Sequence, residues 1–197
     1  MAGLDLTRVL TKIDKIGEGF KNREARIGWF ESARYEDGTP VAYVATIQEF
    51  GGTFNHPGGT AYHIKSDGMA EFLTNSEADS IRAATGVALP VTEAHNITIP
   101  PRPFVRPTVQ DKKSEWSTQI AGGMKKVLKG QMTADDVLEA VGTVAAADIT
   151  KTIAKGNFTA LSAATLAQRK AKGQGLSPLQ ATGLLIATID HQVGDAS

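Results

Sequence analysis

The segment HNITIPPRPFVRP, residues 95–107, holds four of the chain's eight prolines, Pro100, Pro101, Pro103 and Pro107. A residue that precedes a proline is pushed out of helical geometry, so the run from Ile99 to Pro103 must be extended and stiff. A proline gives no N–H to a ladder, so this arm cannot be a central strand. The arm therefore divides the chain into separate elements on its two sides. Phe104 and Val105 then need an apolar home, and two are open to them. The arm could be a strand-to-helix connector whose Phe104 plugs the chain's own core. Alternatively it could dock Ile99, Pro100, Arg102, Pro103, Phe104 and Arg106 on a neighbouring subunit, since a rigid segment with an aromatic anchor loses little entropy on binding.

Around this divider the two halves differ in texture. Leu6, Val9, Leu10, Ile13, Ile16 and Phe20 recur at three- and four-residue steps and predict an amphipathic helix over 4–20. EARIGWFES (24–32) reads as a strand with Ala25, Ile27 and Trp29 on one face, stopped by the turn YEDGTP. VAYVATIQEFGG fits a short helix with Val41, Val44, Ala45 and Ile47 inward, closed by Gly51 and Gly52; a strand is the rival reading. TFNHPGG reads as a loop, AYHIKSDGMAEFL as a hairpin turning at Ser66-Asp67-Gly68, and TEAHNITI as a strand, while 74–90 is ambiguous.

Beyond the arm the pattern is helical. Val109, Trp116, Ile120, Met124 and Val127 mark a helix over about 107–129, weakened in the middle by Gly122 and Gly123. Thr133 with Asp136 caps a second, buried along Leu138, Val141, Ala145, Ile149 and Ile153 and ended by Gly156. Ser162 opens a short basic helix that GQG (173–175) terminates, and ATGLLIATIDHQV closes as a helix running into a short strand. The expectation is a single α+β domain over 1–197. A small antiparallel sheet sits in its N-terminal half and helices fill its C-terminal half; 53–94 reads as a variable loop and hairpin insertion, 99–107 as the arm.

Composition narrows the chemistry. Acids and bases balance at 21 each, so no global field attracts nucleic acid or an anionic membrane. There is no cysteine, which removes disulfides and thiolate chemistry. No apolar run approaches the roughly 20 residues of a membrane span, and the N-terminus has no signal-peptide core. His56, His63, His95 and His191 fall at no metal-ligand spacing, although His56 and His63 could meet across a hairpin. Asp14, Asp135 and Asp136 read as helix-end charges rather than an acid–base pair. Neither a phosphate-cradling glycine loop nor a nucleophile elbow is present, and the sequons at Asn96 and Asn157 are chance matches. The expectation is no cofactor, no metal and no enzyme. Lys125, Lys126 and Lys129, and Arg169, Lys170 and Lys172, form two local basic clusters that could contact phosphates or be solvated helix faces.

Three blocks in order, IQEFGG (47–52), IPPRPFVRP (99–107) and 159–193, resemble the tail-completion or virion-morphogenesis proteins of long-tailed bacteriophages, a family of minor tail and neck components. That family typically carries Glu-(Phe/Tyr)-Gly and then an Ile-Pro-x-Arg-Pro-Phe-(Leu/Val)-Arg arm. Here these are Glu49, Phe50 and Gly51, then Ile99, Pro100, Arg102, Pro103, Phe104, Val105 and Arg106. Its C-terminal pattern is matched by Leu161, Ser162 and Thr165 and by Pro178, Leu179, Thr182, Gly183, Leu185 and Ile189. Ala181 stands where an aspartate is usual and Thr188 where a serine is usual, so no ionic contact is carried onto position 181.

The resemblance implies a non-enzymatic structural protein of the virion, at the head-to-tail junction. It would be assembled in the host cytoplasm as a ring homo-oligomer, a hexamer, that caps or joins the tail tube and leaves a channel for DNA. Its implied partners are tail-tube, tail-terminator or head-completion and connector proteins, with no membrane. The alternative is a DNA-contacting protein that uses the two basic clusters.

Overall fold

The computed structural model describes residues 11, 14, 17–66, 68 and 70–196. The chain is α+β, with short antiparallel strand pairs and a helical C-terminal half. The helix expected over 4–20 lies mostly outside the described residues; Thr11, Asp14 and residues 17–20 are helical.

In order, the named elements are β1 (Arg23–Gly28), α1 (Val41–Phe50), β2 (Gly52–His56), β3 (Tyr62–Ile64), β4 (Ala70–Phe72), α2 (Asn75–Thr85), β5 (His95–Ile99), α3 (Val105–Leu128), α4 (Ala134–Lys155), α5 (Ala163–Ala171), α6 (Leu184–Ala187) and β6 (Asp190–Asp195). Among the described residues the strands form three separate antiparallel pairs, β1–β6, β2–β5 and β3–β4, so the expected small sheet is divided there and draws β6 from the C-terminal half. β6 comes from the far end of the chain, and Arg23 pairs with Asp195 across it. β1 is shorter than 24–32 because the chain leaves the ladder at Trp29. The indole there turns inward, and its Nε1 donates to the Leu185 carbonyl at 2.8 Å.

α4 organises the helical half. Thr133 accepts from the Asp136 N–H while Asp136 accepts from the Thr133 N–H, and Gly156 ends the helix in a left-handed turn. These are the start and stop that the sequence predicts. The buried stripe runs through Val137 rather than Leu138, then Val141, Ala145, Ile149 and Ile153. α3 runs unbroken past Gly122 and Gly123. A methyl group at Gly123 would lie 2.5 Å from a methyl of Val137, so this glycine lets α3 and α4 approach closely. Below it, Asp148 on α4 accepts from Trp116 Nε1 of α3 at 3.1 Å. On its other side α4 meets β6, where Gly142 leaves room for the His191 ring.

The core gathers Val41 and Ala45 of α1, Phe104, Ile149 and Ile153 of α4, Leu179 and Leu185, with Trp29 and Tyr35 packed against it. Residues 53–98 form an excursion from this core. The first four residues of TFNHPGG are strand rather than the expected loop, because Gly52–His56 pairs with His95–Ile99 from Gly52↔Ile99 to His56↔His95, and only residues 57–59 are loop. α2 occupies the ambiguous 74–90 stretch and is opened by a reciprocal Thr74–Glu77 capping box.

Candidate functional site

The apolar stripe of α1 runs Val41, Ala45 and then, one turn on, Glu49. The carboxylate is carried into the interior by helical spacing alone and is 4% exposed. Its acceptors are taken by the start of α3. Oε2 receives the N–H groups of Phe104 at 2.6 Å and Val105 at 2.9 Å, while Oε1 receives the Arg106 N–H at 3.1 Å and Arg106 Nε at 2.9 Å. The next residue is Pro107, which has no N–H. The orphan donors that open a helix are therefore all satisfied or absent, with a negative charge at the positive end of the helix dipole. Burial on its own would raise the Glu49 pKa. The hydrogen bonds from Val105, Phe104 and Arg106 outweigh it and hold the carboxyl below its ordinary 4.5.

Gly51 lets the arm cross. Its φ is 69°, and a side-chain carbon there would lie 2.7 Å from the Pro101 nitrogen and 2.8 Å from the Ile99 carbonyl oxygen. The Glu-Phe-Gly of the first block thus makes a helix end, an acid that caps the next helix, and a gap through which the prolines pass. Phe50 stays 60% exposed, and the Arg106 guanidinium lies over its ring at 4.6 Å.

Of the two homes open to Phe104, the structure supplies its own core. The ring is fully buried and meets Trp29 edge-on at 5.6 Å. Arg102 is also internal, at 6% exposure. Its N–H donates to the Gln48 carbonyl at 2.7 Å, its Nη1 to Gln48 Oε1 at 2.9 Å, and its Nε to the Thr159 carbonyl at 3.0 Å. Ile99 and Pro100 are half-buried, leaving Pro101, Pro103 and Arg106 as the exposed members of the arm. The third block closes the same site from behind: Thr159 accepts from Arg102, Leu179 and Leu185 pack in the Phe104 core, and Gln180 Nε2 donates to the Ile153 carbonyl. Leu179 adopts a left-handed φ of 64°, a strained conformation for a residue with a side chain, held by its burial.

Behind the arm an open cleft of about 630 Å³ runs between the arm and the start of α5. Tyr35, Val44, Leu161, Leu179 and Leu185 give it an apolar lining, and Ala181 lies on its wall. Arg102 and Arg169 both border it, and no Asp or Glu does among the described residues. Arg169 Nη1 donates to the carbonyls of Gly175 at 3.0 Å and Ser177 at 2.9 Å, which ties down the loop after α5. Burial and then the nearby charge of Arg169 push the Arg102 pKa down, and burial does the same to Arg169.

The basic clusters are not one surface of free cations. Lys125, Lys126 and Lys129 are exposed at the end of α3, where its carbonyls favour positive charge, and Lys170 is similarly placed on α5. Arg169 spends Nη1 on its loop and lines the cleft rather than the outer surface, and Lys172 lies within electrostatic reach of Glu77. The histidines separate as well. His56 stacks on His95 at 5.0 Å rather than meeting His63, which pairs with Glu71, while His191 pairs with Glu139. No group of three or more potential ligands that could hold a metal occurs among the described residues. Among them, too, no helix is long and apolar enough to cross a membrane.

Compared with known proteins, the chain matches no family model, no curated protein and no solved structure.

Proposed function

We propose that this chain is a structural, non-enzymatic protein of a long-tailed bacteriophage virion, a tail-completion or neck component at the head-to-tail junction. One observation carries the reading. The three sequence blocks that resemble that family, far apart in the chain, converge on a single clasp: Glu49 at the start of α3, Gly51 beneath the prolines, and Thr159 on Arg102. Glu49, Gly51, Arg102 and Phe104 of those blocks are occupied in holding the fold together, as expected of an architectural motif rather than a catalytic one. Of the buried polar side chains, Glu49, Thr108 and Asp148 each bond within the fold, so no buried carboxylate among the described residues is left over for acid–base work.

In this reading the protein is built in the host cytoplasm into a ring, a hexamer, around a channel for DNA. The ring contacts tail-tube, tail-terminator or connector proteins. The surface offered to the next subunit is the exposed edge of the clasp, Phe50 with Pro101, Pro103 and Arg106. Light scattering of the purified chain over a range of concentrations, followed by negative-stain imaging, tests this directly. Rings, alone or on adding the polymerised tail-tube protein of the same phage, are the expected result. A chain that stays monomeric in both conditions overturns it.

A further inference from the structure

The cleft behind the arm combines three features beyond the contacts of the clasp. The first is charge without a counter-charge. Arg102 uses Nε and Nη1 within the fold and Arg169 uses Nη1, which leaves Nη2 of the first and Nε and Nη2 of the second without partners among the described residues. Two half-desolvated guanidiniums with no bordering carboxylate among the described residues, near enough for one to depress the other, are an unfavourable arrangement until an anion joins them. The second is a strand edge. Ile97, Thr98 and Ile99 border the cleft consecutively, although successive side chains of a strand point to opposite faces. Main chain of β5 as well as its side chains therefore borders the cleft, and among the described residues β5 is paired with β2 alone, which leaves its second edge without a ladder there. The third is the apolar lining opposite that edge, which suits side chains better than a bare ion.

We propose that this cleft binds an extended peptide segment of a partner protein, added as a strand along the free edge of β5, with an acidic side chain of that segment seated between Arg102 and Arg169. The unpaired strand edge supplies main-chain hydrogen bonds, and the arginine pair selects a carboxylate by direct, charge-assisted bonds. The edge and the lining favour a peptide over free phosphate. This site is distinct from the Phe50–Arg106 edge and holds whether or not the chain forms rings.

The test is calorimetric titration of the full chain with a capped peptide of alternating serine and valine carrying one central glutamate. The same peptide with glutamine there, and inorganic phosphate, serve as comparisons. The glutamate peptide should bind about tenfold or more tightly than its glutamine twin, the worth of a hydrogen-bonded charge, and should shift the Arg169 Nε–H resonance. Arg169→Gln should abolish the preference. Because that change could also loosen the 175–177 loop, Ala181→Asp provides a second variant. It keeps both arginines and places a carboxylate on the cleft wall, and it should remove the preference in a chain whose melting temperature is not lowered. Equal affinity for the two peptides, or no binding of the glutamate peptide, overturns the proposal. Phosphate binding as tightly as the glutamate peptide overturns the peptide assignment in favour of a small-anion site.

Discussion

Two arginines of one arm, Arg102 and Arg106, sit in opposite electrical settings. Arg106 is more than half exposed, yet it has a carboxylate, since Glu49 accepts from it at 2.9 Å. Arg102 is buried, yet its partners are the neutral oxygens of Gln48 and Thr159, and the charge that acts on it is that of another arginine. Glu49 is needed most by the three backbone N–H groups, so its loss would strand buried donors with no substitute. Loss of the Arg102 charge would remove hydrogen bonds but also relieve a buried repulsion. The acid of this clasp carries stability, whereas the buried base, set against its neighbour, adds little to it.

Substitutions put that contrast to the test. Phe104→Ala empties the centre of the core and should cost about 3–5 kcal/mol in urea denaturation. A folded, equally stable monomer would show that the ring does not anchor its own chain. Glu49→Leu keeps the bulk but leaves the Phe104, Val105 and Arg106 N–H groups without an acceptor, and about 3–4 kcal/mol should be lost. The same acid gives a pH signature. Its folded pKa lies below the ordinary 4.5, so its contribution is complete above 4.5 and is lost as the pH falls through the lower folded value. Stability curves of the wild type and Glu49→Gln should therefore converge as the pH drops through that acid window and run parallel above it. Arg102→Met should cost only about 1 kcal/mol, because relief of the buried charge offsets the lost hydrogen bonds. A loss as large as that of Glu49→Leu would end the contrast between acid and base. Arg106→Ala, at the exposed rim, should cost less than about 1 kcal/mol, with part of that vanishing in high salt.

The elements with local punctuation are readable in the sequence. α4 has its capping box and its Gly156 stop, α5 has Ser162, and the arm's prolines force an extended chain up to α3. The Thr74–Glu77 box is equally present, and its spacing marks the ambiguous 74–90 stretch as a helix start. β2 cannot be read from its own residues, because one phenylalanine among Asn, His and Pro gives no alternation; β5 makes it a strand. Glu49 is legible as part of a motif but not, from that motif, as an inward residue. Its signal is its place one turn beyond Val41 and Ala45, where a charge on an apolar stripe calls for a buried partner. The cleft is beyond the reach of sequence, since Arg102 and Arg169 belong to elements that only the third block brings together.

The pairing of Gly52 with Ile99 has a consequence for how this protein can vary. Everything between those two residues leaves the core and returns to the same place, so the excursion resembles a cartridge fitted into a socket whose rim is the β2–β5 pair. A cartridge can be exchanged for a shorter turn or a different loop while the socket keeps its shape. The surface carried by residues 57–94 is therefore free to diversify at little cost to Glu49 and Phe104, and grafting new sequence there is the natural way to re-address the molecule.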